Sequence, residues 1–308
     1  MALHESSGRW RLGLLLALVT AGCWATLPVA LKLTLEQVDA ITLTWFRFLV
    51  AAGVMGAWLA ARRGFPAFRK LTAKHWAMLL LAGVMLLGNY VFYLLGVQYT
   101  TPANAQLIIQ LAPLLMALGG IVVFKERFAA AQWLGLAVIV AGLGLFFSEQ
   151  NASHGGDYAL GASLVVLAAV VWAVYALLQK QLLVQLSSPA ILGAIYTLAA
   201  LLLWPFAAPS VLLELDALHA LLLGYCALNT LVAYGAFAEA LAHWEASRVS
   251  AILATTPILC VGAVAGVHAV WPALIEAEQL GMLGWSGALL VLAGSAAASL
   301  LAARKSAS

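Results

Sequence analysis

The chain has 308 residues, of which 65% are hydrophobic and 9% are charged, with a formal net charge of +3 and a mean hydropathy of +1.02. Soluble domains carry roughly 25% charged residues, so the 15 basic and 12 acidic side chains are too few to cover a surface exposed to water. The composition therefore excludes a soluble fold and intrinsic disorder, and the small net charge gives no reason to expect a nucleic-acid partner.

Ten apolar segments follow one another along the chain, separated by charged residues, prolines or glycines. A bilayer core about 30 Å thick is crossed by roughly 20 helical residues. We expect the first segment to be a retained helix, because it is too long for a signal peptide and no small-residue cleavage site follows it. The pattern predicts an all-helical membrane protein whose partner is the lipid bilayer, with transmembrane spans at 12–31, 41–60, 76–97, 103–124, 132–147, 160–179, 189–206, 218–238, 248–270 and 280–302.

The basic residues between these spans predict the orientation of the chain. If the N-terminus is cytoplasmic, Lys32 is the one basic residue in an outside loop and Arg47 lies within the second span. The positive-inside rule favours this arrangement, so both termini are predicted to be cytoplasmic. The remaining basic residues all fall on the inside: Arg9, Arg11, Arg62, Arg63, Arg69, Lys70, Lys74, Lys125, Arg127, Lys180, Arg248, Arg304 and Lys305.

The two halves of the chain resemble each other. GLLLALVTAGCWATLPVALK (13–32) aligns with GASLVVLAAVVWAVYALLQK (161–180), and WLGLAVIVAG (133–142) aligns with WSGALLVLAG (285–294). Between these two alignments further positions match in the same order. The paired positions include Trp24 with Trp172, Gly83 with Gly224, Tyr93 with Tyr234, Pro113 with Pro257, Gly135 with Gly287 and Gly142 with Gly294.

This internal repeat predicts two domains, 10–147 and 160–303, joined by a periplasmic linker at 148–159. Each domain holds five spans, and because five is odd, the second domain enters the membrane from the opposite side to the first. Two inverted repeats are typical of secondary transporters, in which a pseudo-two-fold axis in the membrane plane relates the halves and a site between them opens to each side in turn.

Three features stand out over residues 10–303: the paired Trp24 and Trp172, one proline in the fourth span of each half, and the stretch FKERFAAAQWLGLAVIVAGL (124–143). These features resemble the EamA-domain group of the drug/metabolite transporter superfamily. Within that group the arrangement is similar to amino-acid exporters of the YddG type. The second half departs from the pattern, with the longer HAVWPALIEAEQ (268–279) where the first half has Glu126 in a compact turn. The resemblance implies an alternating-access carrier in a bacterial inner membrane that moves small metabolites, usually outward.

Polar side chains within the spans are costly in lipid, and they usually face a partner helix or a water-filled cavity. Asn89 and Tyr93 share a face of the third span, and Gln106 and Gln110 share a face of the fourth. The alternative is that amides and hydroxyls only hydrogen-bond between helices, at about 0.6 kcal/mol each, and that aromatic rings only pack. We expect a cavity for a small-molecule substrate, lined by Trp24, Asn89, Tyr90, Tyr93, Gln106, Gln110, Trp172, Tyr175, Asn229, Thr230, Tyr234, Thr255 and Thr256.

Breaks and gates are predicted from prolines and charges near the spans. Proline removes a helical hydrogen bond, so Pro28, Pro113 and Pro257 are candidate helix breaks or hinges. Arg47 lies close enough to the outer edge to snorkel to the interface, which favours a structural or gating role, with substrate binding as the alternative. Glu239 and Arg248 form a candidate inner gate, unless both belong to a solvated loop.

No chemistry beyond transport is indicated. The three cysteines and six histidines lack the spacing of metal ligands or of a disulfide framework, so no metal and no cofactor is predicted, and no nucleophile–base constellation indicates an enzyme. The sequence predicts a secondary transporter, working as a monomer, that exports small neutral or zwitterionic metabolites such as amino acids. Uptake or exchange of nucleosides, sugars or cationic drugs, and a channel, are the alternatives.

Overall fold

The computed structural model of the protein describes residues 9–62, 68–69, 71–112, 115, 118–119, 123, 130–243, 249, 252–253, 255–277 and 280–303. Within these ranges it is helical and contains no strand, which confirms the all-helical prediction. Short 3₁₀ turns at Trp204–Phe206 and Pro209–Leu213 connect two of the helices. The α-helices are α1 (Trp10–Thr34), α2 (Ala40–Ala61), α3 (Ala73–Tyr99), α4 (Pro102–Ile108), α5 (Ala130–Leu182), α6 (Ser188–Leu203), α7 (Ala217–His243), α8 (Thr256–Val270) and α9 (Met282–Ala303).

Within the described part of the chain, six helical segments are long and apolar enough to cross a membrane. They are Trp10–Thr34, Ala40–Ala61, Ala73–Tyr99, Asp157–Gln179, Ser188–Phe206 and Ala217–Phe237, at the positions of the first, second, third, sixth, seventh and eighth predicted spans. Three shorter apolar helices, Trp133–Glu149, Thr256–Val270 and Met282–Ser295, lie within the fifth, ninth and tenth. The fourth and ninth predicted spans extend partly outside the described residues.

Local hydrogen bonds explain where several helices begin. Asp39 precedes α2, and its carboxylate accepts hydrogen bonds from the backbone N–H groups of Ile41 and Thr42, both at 2.9 Å. Thr101 precedes α4 and accepts from the N–H of Asn104 at 3.2 Å. These side chains satisfy donors that have no acceptor within the helix, so the polar residues between apolar segments set the helix boundaries.

Lys32, the basic residue in a predicted outside loop, has a structural role. Its ammonium donates hydrogen bonds to the backbone carbonyls of Val97, Gln98 and Thr100, at 2.7–2.9 Å. A positive charge at the carbonyl end of a helix is favourable. Lys32 therefore ties the end of α1 to the end of α3, which accounts for a lysine on the side of the membrane that is predicted to be outside.

The helix α5 differs from the sequence prediction. The structure runs one helix of 53 residues through the predicted fifth span, the linker at 148–159 and the sixth span. That stretch contains no proline, and two adjacent glycines weaken a helix by only about 1 kcal/mol each, so nothing in its sequence forces the helix to end. The apolar character is nevertheless interrupted, because Trp133–Glu149 and Asp157–Gln179 are separated by polar residues.

The first part of α5 and α9 cross each other in opposite directions at closely packed glycines. A Cβ atom added to Gly142 would lie 2.7 Å from the carbonyl oxygen of Gly287, and one added to Gly294 would lie 2.6 Å from that of Gly135. Small residues let helix backbones approach in lipid, where the hydrophobic effect does not drive helices together. Glu149 strengthens the junction, because its carboxylate accepts hydrogen bonds from the backbone N–H groups of Gly281 and Leu283 at the start of α9.

The helices α2 and α6 also pack in opposite directions, through aromatic rings. Trp45 contacts Trp204 with ring centroids 5.3 Å apart, and Phe48 stacks on Tyr196 at 5.5 Å. Both Phe48 and Tyr196 are fully buried, and they belong to a large cluster of apolar side chains from α2, α3, α5 and α6. This cluster forms one wall of the region in which the polar residues of the spans meet.

The glycine crossing gives a test with an internal control on the same helix. Gly142→Ala is expected to lower the free energy of unfolding by about 1–3 kcal/mol, because the new methyl group meets backbone that cannot move aside. Gly144→Ala is the control, since no atom lies within 4 Å of the position of its Cβ, and alanine raises helix propensity. Thermal unfolding of both variants in detergent measures the difference. Equal melting temperatures would contradict the close approach of α5 and α9.

Candidate functional site

Arg47 is the charged centre of the membrane-spanning region. It lies in α2 and is 3% exposed. Its guanidinium carbon lies 4.7 Å above the centroid of the Tyr90 ring, and its Nε donates a hydrogen bond to the Thr230 hydroxyl at 3.1 Å. The side chain therefore points into the bundle, where Tyr90 and Thr230 hold it, rather than towards the interface, and its structural or gating role stays a prediction.

The energetics of Arg47 are closely balanced. Insertion scales assign a central arginine a cost of about 3 kcal/mol. A desolvated cation–π contact contributes about 2 kcal/mol, and one hydrogen bond contributes about 1 kcal/mol. Tyr90 and Thr230 therefore offset much of the cost of placing the charge there.

Aromatic side chains from several helices surround this charge. Tyr90 contacts Phe48, with ring centroids 4.5 Å apart, and its hydroxyl lies near Thr230 and Tyr234. Trp172 on α5 lies near Tyr234, and its ring contacts that of Tyr175 at 6.5 Å. We call the set Arg47, Phe48, Tyr90, Trp172, Tyr175, Tyr196, Thr230 and Tyr234 the central cluster.

Trp24 extends the central cluster to α1. Its ring meets the ring of Tyr234 edge to face, with centroids 5.7 Å apart, and that of Phe237 at the same separation. Trp24 and Tyr234 are each half-buried. The structure therefore brings together seven of the residues singled out from the sequence, namely Trp24, Arg47, Tyr90, Trp172, Tyr175, Thr230 and Tyr234.

Other predicted residues form separate pairs around this centre. The Tyr93 hydroxyl donates to Oε1 of Gln106 at 3.0 Å, which links α3 to α4. The amide of Asn89 donates to the carbonyl of Ala168 on α5 at 3.0 Å. Both Asn89 and Gln106 are buried. These hydrogen bonds join neighbouring helices, so they fit the alternative in which polar side chains only hydrogen-bond between helices.

Asn229 belongs to a group on the α1 side of α7. Its amide donates to the carbonyl of Cys23 at 2.8 Å and to the Tyr225 hydroxyl at 3.0 Å, while Tyr225 also bonds Thr26. An apolar groove of about 300 Å³ between α1, α7 and α8 begins beside Thr26 and Tyr225. The group fastens α1 to α7 at the edge of the central cluster.

The remaining predicted residues do not meet at this centre. The hydroxyls of Thr255 and Thr256 donate to carbonyls of the preceding turn, at Ile252 and Leu253. Gln110 lies in a half-buried turn after α4. Glu239 is exposed and bonds His243 at 3.0 Å. Arg248, its predicted gate partner, and Pro113 lie outside the described residues.

The two described prolines behave differently. Pro28 lies inside α1, which continues unbroken to Thr34, so no helix break occurs there and only the hinge role stays a prediction. Pro257 lies in the first turn of α8, which begins at Thr256. Proline is well tolerated in a first turn because its missing N–H has no acceptor there.

Two members of the central cluster were missed from the sequence, Phe48 and Tyr196. Tyr196 is 1% exposed, and its hydroxyl has no hydrogen-bond partner among the described residues. A tyrosine in the middle of a predicted span, away from the interfaces where tyrosines are normally found, is the signal that identifies Tyr196 in the sequence.

A polar cluster joins the end of α1 to the start of α7, outside the apolar core. Asp216 accepts hydrogen bonds from the backbone N–H of His219 at 2.9 Å and from the Gln37 amide at 2.8 Å, and its carboxylate lies 2.8 Å from the His219 ring. The other ring nitrogen of His219 lies 3.7 Å from Glu36. The His219 backbone bond, the His219 ring and Gln37 together lower the pKa of Asp216 to about 2.

The described residues contain no group of three histidine, cysteine or carboxylate side chains that is able to hold a metal ion. The chemistry that the site offers is recognition, through one guanidinium, several hydroxyls and the faces of aromatic rings. A bundle of long apolar helices with such a centre is the architecture of an integral membrane protein.

Comparison with known proteins identifies the family. The sequence model of the EamA-like transporter family matches residues 11–148 and 159–300. The chain therefore belongs to the EamA-like transporter family, within the drug/metabolite transporter superfamily, and is a membrane transporter.

Relatives with the same extent are known in several bacteria. The chain is 38% identical over 287 residues to the uncharacterized inner membrane transporter YhbE of Escherichia coli K12, covering 92% of this chain and 89% of that protein. It is 27% identical over 297 residues to a probable amino-acid metabolite efflux pump of Salmonella typhimurium, covering 91% and 92%. A crystal structure with 20% identity aligns over 98% of this chain and 99% of its own, with a TM-score of 0.65, so the two share a fold.

The Asp216 cluster predicts a pH dependence of stability. Because the pKa of Asp216 is lowered from 3.8 to about 2, its ionised form favours the folded protein above about pH 4, and this contribution is lost as the pH falls through 2. Asp216→Asn is expected to melt at a lower temperature than the unsubstituted protein at pH 7. The difference is expected to shrink towards pH 2.

The neighbouring exposed Glu214→Gln is the control, and thermal unfolding in detergent across this pH range is the measurement. A difference between Asp216→Asn and the unsubstituted protein that is the same at pH 7 and at pH 2 would contradict the ionised cluster.

Proposed function

We propose that the protein is an alternating-access carrier built from two inverted five-span repeats, and that it exports small zwitterionic metabolites, amino acids first among them. Residues 10–147 and 160–303 are the two repeats. The carrier works as a monomer in the inner membrane with both termini in the cytoplasm. The observation that carries the proposal is that helices of both repeats contribute to one buried polar cluster around Arg47.

The directions in which the helices pack support the inverted arrangement. Two of the helix pairs that pack within the bundle, α2 with α6 and the first part of α5 with α9, each join a helix to its own counterpart in the other repeat. Both pairs run in opposite directions. A two-fold axis along the membrane normal would make such counterparts parallel, whereas an axis in the membrane plane makes them antiparallel.

Individual contacts obey the same relation. The repeat alignment exchanges Gly135 with Gly287 and Gly142 with Gly294, so it converts the contact of Gly142 with Gly287 into that of Gly294 with Gly135. Both contacts are present. Counted from the starts of α2 and α6, Phe48 and Tyr196 are each the ninth residue, and they stack on each other. Equivalent residues touch in this way only near a two-fold axis.

The family comparison supports the division of the chain. The family's sequence model matches twice, and the two matches begin and end within a few residues of the proposed repeats. The helical continuity of α5 does not oppose this division, since its two apolar parts are separated by polar residues. Relatives named as transporters also favour transport over enzymatic activity, and the name of YhbE favours the inner membrane.

The substrate class follows from the chemistry of the centre. Aromatic faces such as Trp24, Trp172 and Tyr234 suit an ammonium group, and hydroxyls suit a polar solute. The Salmonella relative named as a probable amino-acid metabolite efflux pump supports amino acids and the outward direction. Nucleosides, sugars and cationic drugs are the competing substrates, and a channel is the competing mechanism.

The test is counterflow into liposomes that contain the purified protein. Labelled L-amino acids, nucleosides and sugars are each offered to vesicles preloaded with the same unlabelled compound. We expect flux of at least one amino acid to saturate and to be accelerated by substrate on the other side. Flux that rises linearly with concentration and lacks this acceleration would indicate a channel, and flux restricted to nucleosides or sugars would exclude amino-acid transport.

Tyr234→Ala tests the central cluster within the same assay. We expect the initial rate of counterflow to fall about 10-fold or more, the equivalent of roughly 1.4 kcal/mol, because the ring joins Trp24, Tyr90 and Trp172. Tyr99→Ala is the matched control, since Tyr99 is 44% exposed at the end of α3. Equal rates for the two variants, with both proteins monodisperse in detergent, would contradict the assignment of the site.

A further inference from the structure

We propose that Arg47 is the residue that binds the carboxylate of the transported molecule, with the Tyr196 hydroxyl as a second donor. This inference rests on the proposed function, because it takes the central cluster as the transport site. It makes the carboxylate, rather than the side chain of the amino acid, the group that is recognised first.

The first argument is the number of unused donors on Arg47. A guanidinium carries five N–H groups. Among the described residues, the Nε–H bond to Thr230 is the hydrogen bond that this side chain makes. Its two terminal nitrogens, with four N–H groups, therefore have no protein acceptor there, although the residue is 97% buried. A charged side chain that is largely buried usually finds acceptors for its donors.

The second argument is the absence of a protein counter-ion in the described part of the chain. The ion pairs found there all involve histidine, at Asp216, Glu36 and Glu239, near helix ends. The groups in electrostatic range of Arg47 are hydroxyls and a thiol: Tyr90, Tyr93, Tyr196 and Cys226. A buried positive charge without a negative partner attracts an anion from outside the protein.

The third argument is the position of an unpartnered hydroxyl. The Tyr196 hydroxyl is buried, has no hydrogen-bond partner among the described residues, and lies in electrostatic range of Arg47, Tyr90 and Tyr234. Because Tyr196 belongs to the second repeat and Arg47 to the first, one anion between them would contact both halves of the protein.

The chemistry of these groups selects a carboxylate. The planar guanidinium fork matches the two oxygens of a carboxylate, and such bidentate pairs are strong and directional. A phosphate dianion is a weaker candidate, because among the described residues Arg47 is the one cation within the central cluster. An amino acid also places its ammonium within reach of the surrounding rings, where cation–π attraction requires no acidic residue.

The experiment compares L-amino acids with the matching amino-acid amides, which keep the ammonium and the side chain but lose the negative charge. Competition of each unlabelled compound against labelled amino-acid counterflow gives its apparent affinity. For the unsubstituted protein we expect the acid to be preferred over the amide by about 30-fold or more, the lower end expected when a buried charge loses its partner.

Arg47→Gln and Arg47→Lys test the residue. We expect Arg47→Gln to lower the preference for the acid to within about 3-fold of unity, and Arg47→Lys, which keeps the charge but lacks the fork, to give an intermediate preference. Arg62→Gln is the matched control, because Arg62 lies exposed at the end of the same helix, over Trp58, and it is expected to keep the full preference.

A second measurement separates this inference from the proposed function. Lactate and propionate are added to the purified protein, and the melting temperature is compared with that in lactamide and propionamide, since a ligand raises the stability of the state that binds it. If no amino acid is transported, the proposed function fails, while a carboxylate-specific rise that Arg47→Gln abolishes still supports the anion site.

The inference is overturned by any of three results. One is an unsubstituted protein that transports amino acids without preferring acids to amides. Another is a monodisperse Arg47→Gln protein that retains the preference. The last is an unsubstituted protein whose melting temperature neither lactate nor propionate raises. This result overturns the inference even if the arginine variants fail to fold.

Discussion

The structure is organised around a positive charge held inside a bundle that is surrounded by lipid. Arg47 is almost fully buried where it lies, so neighbouring helices supply part of what water would supply elsewhere: a ring face from Tyr90 and a hydroxyl from Thr230. These two contacts come from different parts of the chain, α3 and α7. One charge therefore joins helices that lie far apart in the sequence.

Small residues give the bundle the close contacts that hold this centre. The glycines of α5 and α9 let backbones touch, and the Cys23 carbonyl and Asn229 amide join α1 to α7. Packing of this kind has discrete arrangements rather than a continuous range. Contacts through small residues and a few polar bonds are the kind that the proposed alternating-access carrier would exchange between its two arrangements.

Much of the fold could be predicted from the sequence. Apolar length and polar boundaries located α1, α2, α3, α6 and α7, because residues such as Asp39 and Thr101 both interrupt the apolar segments and cap the helices. The linker at 148–159 was harder to judge. Its polar residues predicted a boundary, but without a proline nothing in the backbone chemistry ends the helix there.

The site could be predicted only in part. The aromatic and polar residues of the spans identified Trp24, Tyr90, Trp172 and Tyr234, since a polar group in lipid needs a reason to be there. The burial of Arg47 could not be predicted, because counting residues along one helix gives depth in the membrane but not which way a long side chain points. That direction depends on neighbours from α3 and α7, which no local pattern specifies.

The central claim is that both halves share one chamber with a positive charge in its wall. The measurement uses a protein in which Cys23, Cys226 and Cys260 are replaced by alanine and Thr230 by cysteine, in vesicles of known orientation. Thiol reagents of equal size, one carrying a sulfonate and one a quaternary ammonium, are added from each side during transport. The account predicts reaction from both sides, faster for the sulfonate, with that preference lost in Arg47→Gln. No reaction from either side, or faster reaction of the cation, would contradict it.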